Sequence, residues 1–248
     1  MRVLRNIGAL ATCRDEGGQG DIHVIEHAAI VWQDDTILWA GLEEELPLVH
    51  ETAESEDCRG WLVVPGLVDC HTHLAFGGWR AGEFERRLRG ESYLDIAQSG
   101  GGIAATVRAT RAASEEELVS RARMSLAEMR QLGVTTVECK SGYGLDEASE
   151  RKLLHVYRRL RHEQPTRLVV TFLGAHVVPP EYRDRRDEYV RWLVDEMIPA
   201  VAALGQPFAC DCGNHLVDQP AHVLVAAVPV LRRHHVSTEK RDLSLIHI

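Results

Sequence analysis

Residues 65–78 read PGLVDCHTHLAFGG. The apolar run WLVV (61–64) precedes them and is closed by Pro65 and Gly66, and His71 and His73 then flank a single threonine. On a strand, residues i and i+2 point to the same face, so both imidazoles can aim at one point. Zinc or iron accepts such ligands, and a catalytic site of this kind takes about three protein ligands and keeps a position open for water. Water held there loses a proton near neutral pH and becomes a nucleophile. Spacing alone equally fits two ordinary histidines at a strand end. Asp69 just before the pair, the buried run before that and polar residues at later strand ends favour the metal reading. The question is then where the remaining ligands lie.

Toward the N-terminus, residues 1–62 read as short strands and turns, one part of a small β-sandwich domain. VLRNIGALAT leads to a turn-like RDEGGQGD, and Asp34-Asp35 separates HAAIVWQ from TILWAG as a hairpin signal. Toward the C-terminus, Arg80 opens a charged, glycine-bearing stretch that runs to SGGG (99–102). It reads as a long connection with a short helix around Tyr93 to Gln98. Lacking the lysine spacing of a phosphate loop, the glycine run reads as a flexible hinge.

A capping box, Ser114 with Glu117, then opens a helix. Leu118, Ala122, Leu126, Met129 and Leu132 recur along it at helical spacing. VTTVECK (134–140) and RLVVTFL (167–173) read as buried strands. A helix between them starts at Asp146 and stops before Pro165; another is expected from about Arg186 to Leu204. Alternation of this kind implies parallel strands with right-handed crossovers. In a (β/α) barrel the C-terminal strand ends converge on one face and build the site. Here those ends carry His71 and His73, then Lys140 and Tyr143, then His176. No GxGxxG follows a strand, which argues against a dinucleotide site.

A formal net charge of −9 argues against general affinity for nucleic acid or an anionic membrane surface. No apolar run approaches the ~20 residues that span a bilayer. The six cysteines are scattered without CxxC pairs, so a reduced, cytoplasmic protein is the default expectation.

PGLVDxHTH at the end of a first strand resembles the amidohydrolase superfamily. With HTHLAFGGWR, RGESYLDIAQSGGGIAATVRATRAASEEEL, GVTTVECKSGYGL and TFLGAHVVPPEY, the chain resembles the imidazolonepropionase family over roughly residues 20–204. The resemblance implies an α/β fold: a partial TIM (β/α)8-type amidohydrolase barrel over 63–204, with the N-terminal β-sandwich segment beside it. It implies metal-dependent opening of the cyclic amide of 4-imidazolone-5-propanoate to N-formimidoyl-L-glutamate, with one zinc or iron ion per site. His71 and His73 would be metal ligands. Arg80 would take the substrate's carboxylate, which suits a guanidinium fork. Tyr143 would contact substrate through its hydroxyl, and His176 would hydrogen-bond the ring. Lys140 is given no ligand role, and periodicity leaves open which way Glu138 and Cys139 face. A homodimer is a family-level expectation.

The family pattern also needs a third metal histidine in a HADE-like motif and a later aspartate. Neither motif is in this sequence, and too few residues follow Val63 for a whole barrel of about 250. The resemblance fades after about Leu204, so 205–248 reads as a tail foreign to the family. Cys210-x-Cys212, His215, His234-His235 and His247 are weak metal candidates there. Three readings stay open: the enzyme, a catalytically incompetent fragment of it, and another amidohydrolase such as a cyclic amidase or deaminase.

Overall fold

The computed structural model describes residues 1–204 apart from 15 and 19, and the backbone of 209–210. Within these residues the chain divides into two compact units, 1–68 with 129–135 and 69–128 with 136–204. The weak metal candidates of the tail lie outside the described side chains.

The first unit is a sheet of β1 (Arg2–Ala11), β2 (Val24–Gln33), β3 (Thr36–Leu42), β4 (Glu54–Asp57) and β5 (Leu62–Val63). Its order is β3-β2-β1-β4, with β5 also pairing β1. β1–β2 and β2–β3 are antiparallel, whereas β1–β4 and β1–β5 are parallel. The expected hairpin is present: Gln33 faces Thr36 across Asp34-Asp35, and Asp34 takes φ 56°, a conformation aspartate tolerates. Successive residues go to opposite faces, as the pleat requires. Leu4, Ile7, Leu10, Ala28 and Trp32 share one buried cluster, and Val3, Ala29, Val31 and Leu46 share another.

The second sheet runs β6 (Leu67–Thr72), β7 (Val134–Lys140), β8 (Arg167–Phe172), β9 (Ala209–Cys210), in that order. β7–β8 and β8–β9 are parallel, with Lys140 opposite Thr171 and Phe172 opposite Cys210. The helices are α1 (Ala81–Leu88), α2 (Tyr93–Gln98), α3 (Gly102–Ala112), α4 (Glu115–Gln131), α5 (Glu147–Glu163), α6 (Arg186–Trp192) and α7 (Ile198–Ala202). The fold is therefore mixed α/β.

The α4 capping box forms as expected: Glu117 Oε2 accepts from the Ser114 amide at 2.8 Å, and Ser114 Oγ accepts from the Glu117 amide at 3.2 Å. Leu118, Ala122 and Leu126 are buried. Leu132 is not on that face; the helix ends at Gln131 and leaves it 75% exposed. α5 starts on Asp146, whose Oδ1 accepts from the Ser149 amide at 2.8 Å. The last helix is interrupted by a π-helical turn at Leu193–Met197, just before Pro199. Proline lacks an amide hydrogen and its ring crowds the carbonyl four residues back, which the wider turn relieves.

The long connection expected between Arg80 and Gly102 is instead helical over much of its length. α2 lies where expected, and α1 and α3 flank it. The glycine run leads into α3, with Ser99 and Gly100 exposed, Gly102 buried and the Gly102 amide donating to Glu83 Oε1 at 2.9 Å.

Candidate active site

Buried hydroxyls fix how the chain leaves β6, β7 and β8. Tyr157, on the buried face of α5, donates to Lys140 O at 2.8 Å and accepts from the Ala75 amide at 3.0 Å. One side chain thus ties the exits of β6 and β7. Thr110 Oγ1 accepts from the Gly77 amide at 2.8 Å. Ser141 donates its amide to Thr171 O at 2.9 Å and accepts from the Leu173 amide at 3.0 Å, linking the exits of β7 and β8. Each buried amide finds a fixed partner, so the loops leave in defined directions.

These exits bring most of the sequence-predicted site residues together. The His73 ring stacks on His176 at 4.5 Å between centroids, 15° between planes. Tyr143 packs against His73 at 4.5 Å and His176 at 5.1 Å. His71 stands 6.3 Å from His73, edge-on, and is exposed. Arg80, with His73, Phe76, Trp79, Phe84 and Tyr143, lines a cleft of about 500 Å³. That lies within the usual range for small-molecule sites. The guanidinium of Arg80 is 3.6 Å from Glu83 Oε2.

β7 settles which way Glu138 and Cys139 face. Glu138 Oε1 accepts from Lys140 Nζ at 2.8 Å and from Thr171 Oγ1 at 2.7 Å, so Glu138 and the buried Lys140 share a face. Cys139 alternates to the other side and is fully buried, which pushes its thiol pKa far up.

The His73 pKa is lowered to about 4, first by burial and then by positive neighbours, His176 foremost. The ring is therefore neutral at physiological pH, the form that binds metal. Its Nδ1 is buried and has no hydrogen-bond partner. An orphaned, neutral imidazole nitrogen beside a second histidine fits a metal-ligating pair. Among the described residues, no three His, Cys, Asp or Glu side chains are grouped to hold a metal ion. Burial also raises the Tyr143 hydroxyl above its ordinary pKa, opposed by the charge of Arg80, which keeps the phenol protonated.

Sequence reasoning missed Glu150. It lies in the first turn of α5 and is fully buried beneath the SGYG loop. The loop needs its glycines. Gly142 has φ +102°, and a Cβ there would meet Leu173 O at 2.6 Å; at Gly144 it would meet the Glu150 amide nitrogen at 2.6 Å. Two glycines around Tyr143 followed by a helix were legible; a glutamate in that helix reads as solvent-facing.

No protein-family model matches the chain. It is similar to an imidazolonepropionase of Pseudomonas putida, 52% identical over 206 residues that cover 83% of this chain and 51% of that protein. A second from that species is 50% identical over 224 residues, covering 90% of this chain and 55% of its own length. One from Pseudomonas fluorescens is 54% identical over 193 residues, covering 78% and 48%. The chain spans about half the length of the curated relatives it matches. Among solved structures, a guanine deaminase from Bradyrhizobium japonicum is 16% identical with a TM-score of 0.49, covering 78% of this chain and 40% of its own. That likeness is too slight to argue from. Among the described residues no helix is long and apolar enough to cross a membrane.

Proposed function

We propose that this chain carries the front part of an imidazolonepropionase site, which hydrolyses the cyclic amide of 4-imidazolone-5-propanoate to N-formimidoyl-L-glutamate. The observation that carries the reading is the meeting of His73, Tyr143 and His176, from three strand exits, beside a cleft that Arg80 lines. The relatives at about half identity support the substrate. His71 and His73 would hold one zinc or iron ion, which when bound polarises the ring carbonyl and activates water. Arg80, oriented by Glu83, binds the substrate's carboxylate. Tyr143 donates its protonated hydroxyl to substrate, and His176 hydrogen-bonds the imidazolone ring. The group that moves a proton to the leaving nitrogen is not assigned to any described residue.

The parallel registers β7–β8–β9, with helices between successive strands, support a partial (β/α) barrel, and the β1–β5 sheet supplies one layer of the proposed sandwich. The scattered cysteines support a cytoplasmic setting, and a homodimer is carried over from the family alone.

A second reading, a catalytically incompetent fragment, is favoured by the lack of any group of three His, Cys, Asp or Glu side chains able to hold a metal among the described residues. Metal analysis together with loss of imidazolonepropanoate ultraviolet absorbance separates the two. For the 248-residue chain alone we expect weak metal retention and little turnover. Stoichiometric, tightly held metal with robust turnover would overturn the reading as an incompetent fragment. Turnover of a different cyclic amide in place of this one would overturn the substrate.

A further inference from the structure

Glu150 has a bonding pattern that its sequence position does not suggest. Its Oε1 accepts from the amides of Gly142 at 3.1 Å, Gly144 at 2.8 Å and Leu145 at 2.8 Å, and its Oε2 accepts from Gly142 at 3.1 Å. Burial pushes the carboxyl above its usual range, while hydrogen bonds from Ser141 and from these amides pull it back. The loop is therefore wrapped around one carboxylate, amides inward.

The inward Leu145 amide turns the Gly144 carbonyl of the same planar peptide outward, and the Gly142 carbonyl lies between the anchored Gly142 and Gly144 amides; both carbonyls are used. Gly144 O accepts from Arg111 Nε at 2.7 Å. Gly142 O lies 3.1 Å from His176 Nδ1. A carbonyl can only accept, so Nδ1 carries the proton in this contact, and a ring with a single proton then has its lone pair on Nε2. Tyr143 sits between the two anchored glycines and packs on both His73 and His176.

We propose that Glu150 is the positioning residue of the site: through the 141–145 loop it fixes the Nδ1–H tautomer of His176 and holds Tyr143 against His73. The proposal rests on the reading of these rings as a functional site. It does not depend on turnover or metal, so an inactive chain leaves its test intact. Glu150 touches no substrate; it acts through the backbone of the loop, as outer partners of catalytic side chains commonly do.

The test uses the 248-residue chain labelled with 15N-histidine, with His176→Ala to assign the His176 signals. In the wild type, His176 is expected to show a protonated Nδ1 and an unprotonated Nε2. In Glu150→Gln, which keeps the size but replaces one acceptor oxygen with a donor, the tautomers are expected to mix. The Gly142, Gly144 and Leu145 amides should then exchange about tenfold faster or more, while those of β1 and β2 stay unchanged. An unaltered tautomer with unaltered loop exchange in Glu150→Gln would overturn the proposal. So would equal acceleration across the whole chain, which would reduce Glu150 to a general stabiliser. Should Glu150→Gln not fold, the wild type decides alone: an Nε2–H tautomer at His176 overturns the assignment.

Discussion

Two glycine-bearing loops of the second unit are each tied to a glutamate, with different consequences. In SGYGL (141–145), three backbone amides converge on Glu150, which is 0% exposed. In SGGG (99–102), one amide, that of Gly102, reaches Glu83, whose side chain is 20% exposed and also faces Arg80. The local chemistry is the same, a carboxylate accepting from a glycine amide. The number of bonds differs: Glu150 holds three amides and Glu83 one, and each amide that loses its acceptor away from water costs about 1–3 kcal/mol. The loop on Glu150 carries site rings, while the loop on Glu83 serves to begin α3.

The contrast can be broken most directly at Glu150. Glu150→Ala strands the Gly142, Gly144 and Leu145 amides and is expected to cost about 3–5 kcal/mol, since each stranded buried amide costs about 1–3 kcal/mol. Urea denaturation measures it; a loss below ~1 kcal/mol would mean that the loop finds other partners and that the two loops are alike. Glu83→Ala is expected to cost less, about 1–2 kcal/mol, because it leaves one amide without its acceptor rather than three. A loss there equal to that at Glu150 would erase the distinction.

The smallest effect concerns an exposed carboxylate outside both loops. Glu117 is held below the usual carboxylate range, chiefly by the Ser114 backbone amide and then by the Ser114 hydroxyl. Its folded pKa lies below the ordinary 4.5, so its contribution to stability is present above pH 4.5 and is lost as pH falls through the depressed value. The gap in melting temperature between wild type and Glu117→Gln should therefore close on acidification below about pH 4.5. A gap that widens instead would reverse the sign assigned to this cap.

Much of this was legible from local pattern. The Ser114–Glu117 box and the Asp146 cap mark the starts of α4 and α5, and Asp34-Asp35 marks the hairpin, because each signal lies within a few residues of the bond it makes. α1 carries Ala81, Phe84 and Leu88 at helical spacing, but Phe84 and Leu88 stay exposed and the helix buries no residue, and among its charges that short stripe reads as part of a connection. α3 buries Thr106 and Thr110 beside Val107, so its inner face reads as polar. The site candidates His73, Arg80, Tyr143 and His176 could be named because strand ends and neighbouring motifs carry them.

By itself, then, the sequence determined the alternation of elements, the His-x-His pair and the glycines around Tyr143, all consequences of near-neighbour geometry. Only the tertiary structure decided that His73, Tyr143 and His176 stack together and that Glu150 turns inward. Those facts depend on packing between segments far apart in the chain. A glutamate in a helix's first turn looks the same in sequence whether it meets solvent or three buried amides.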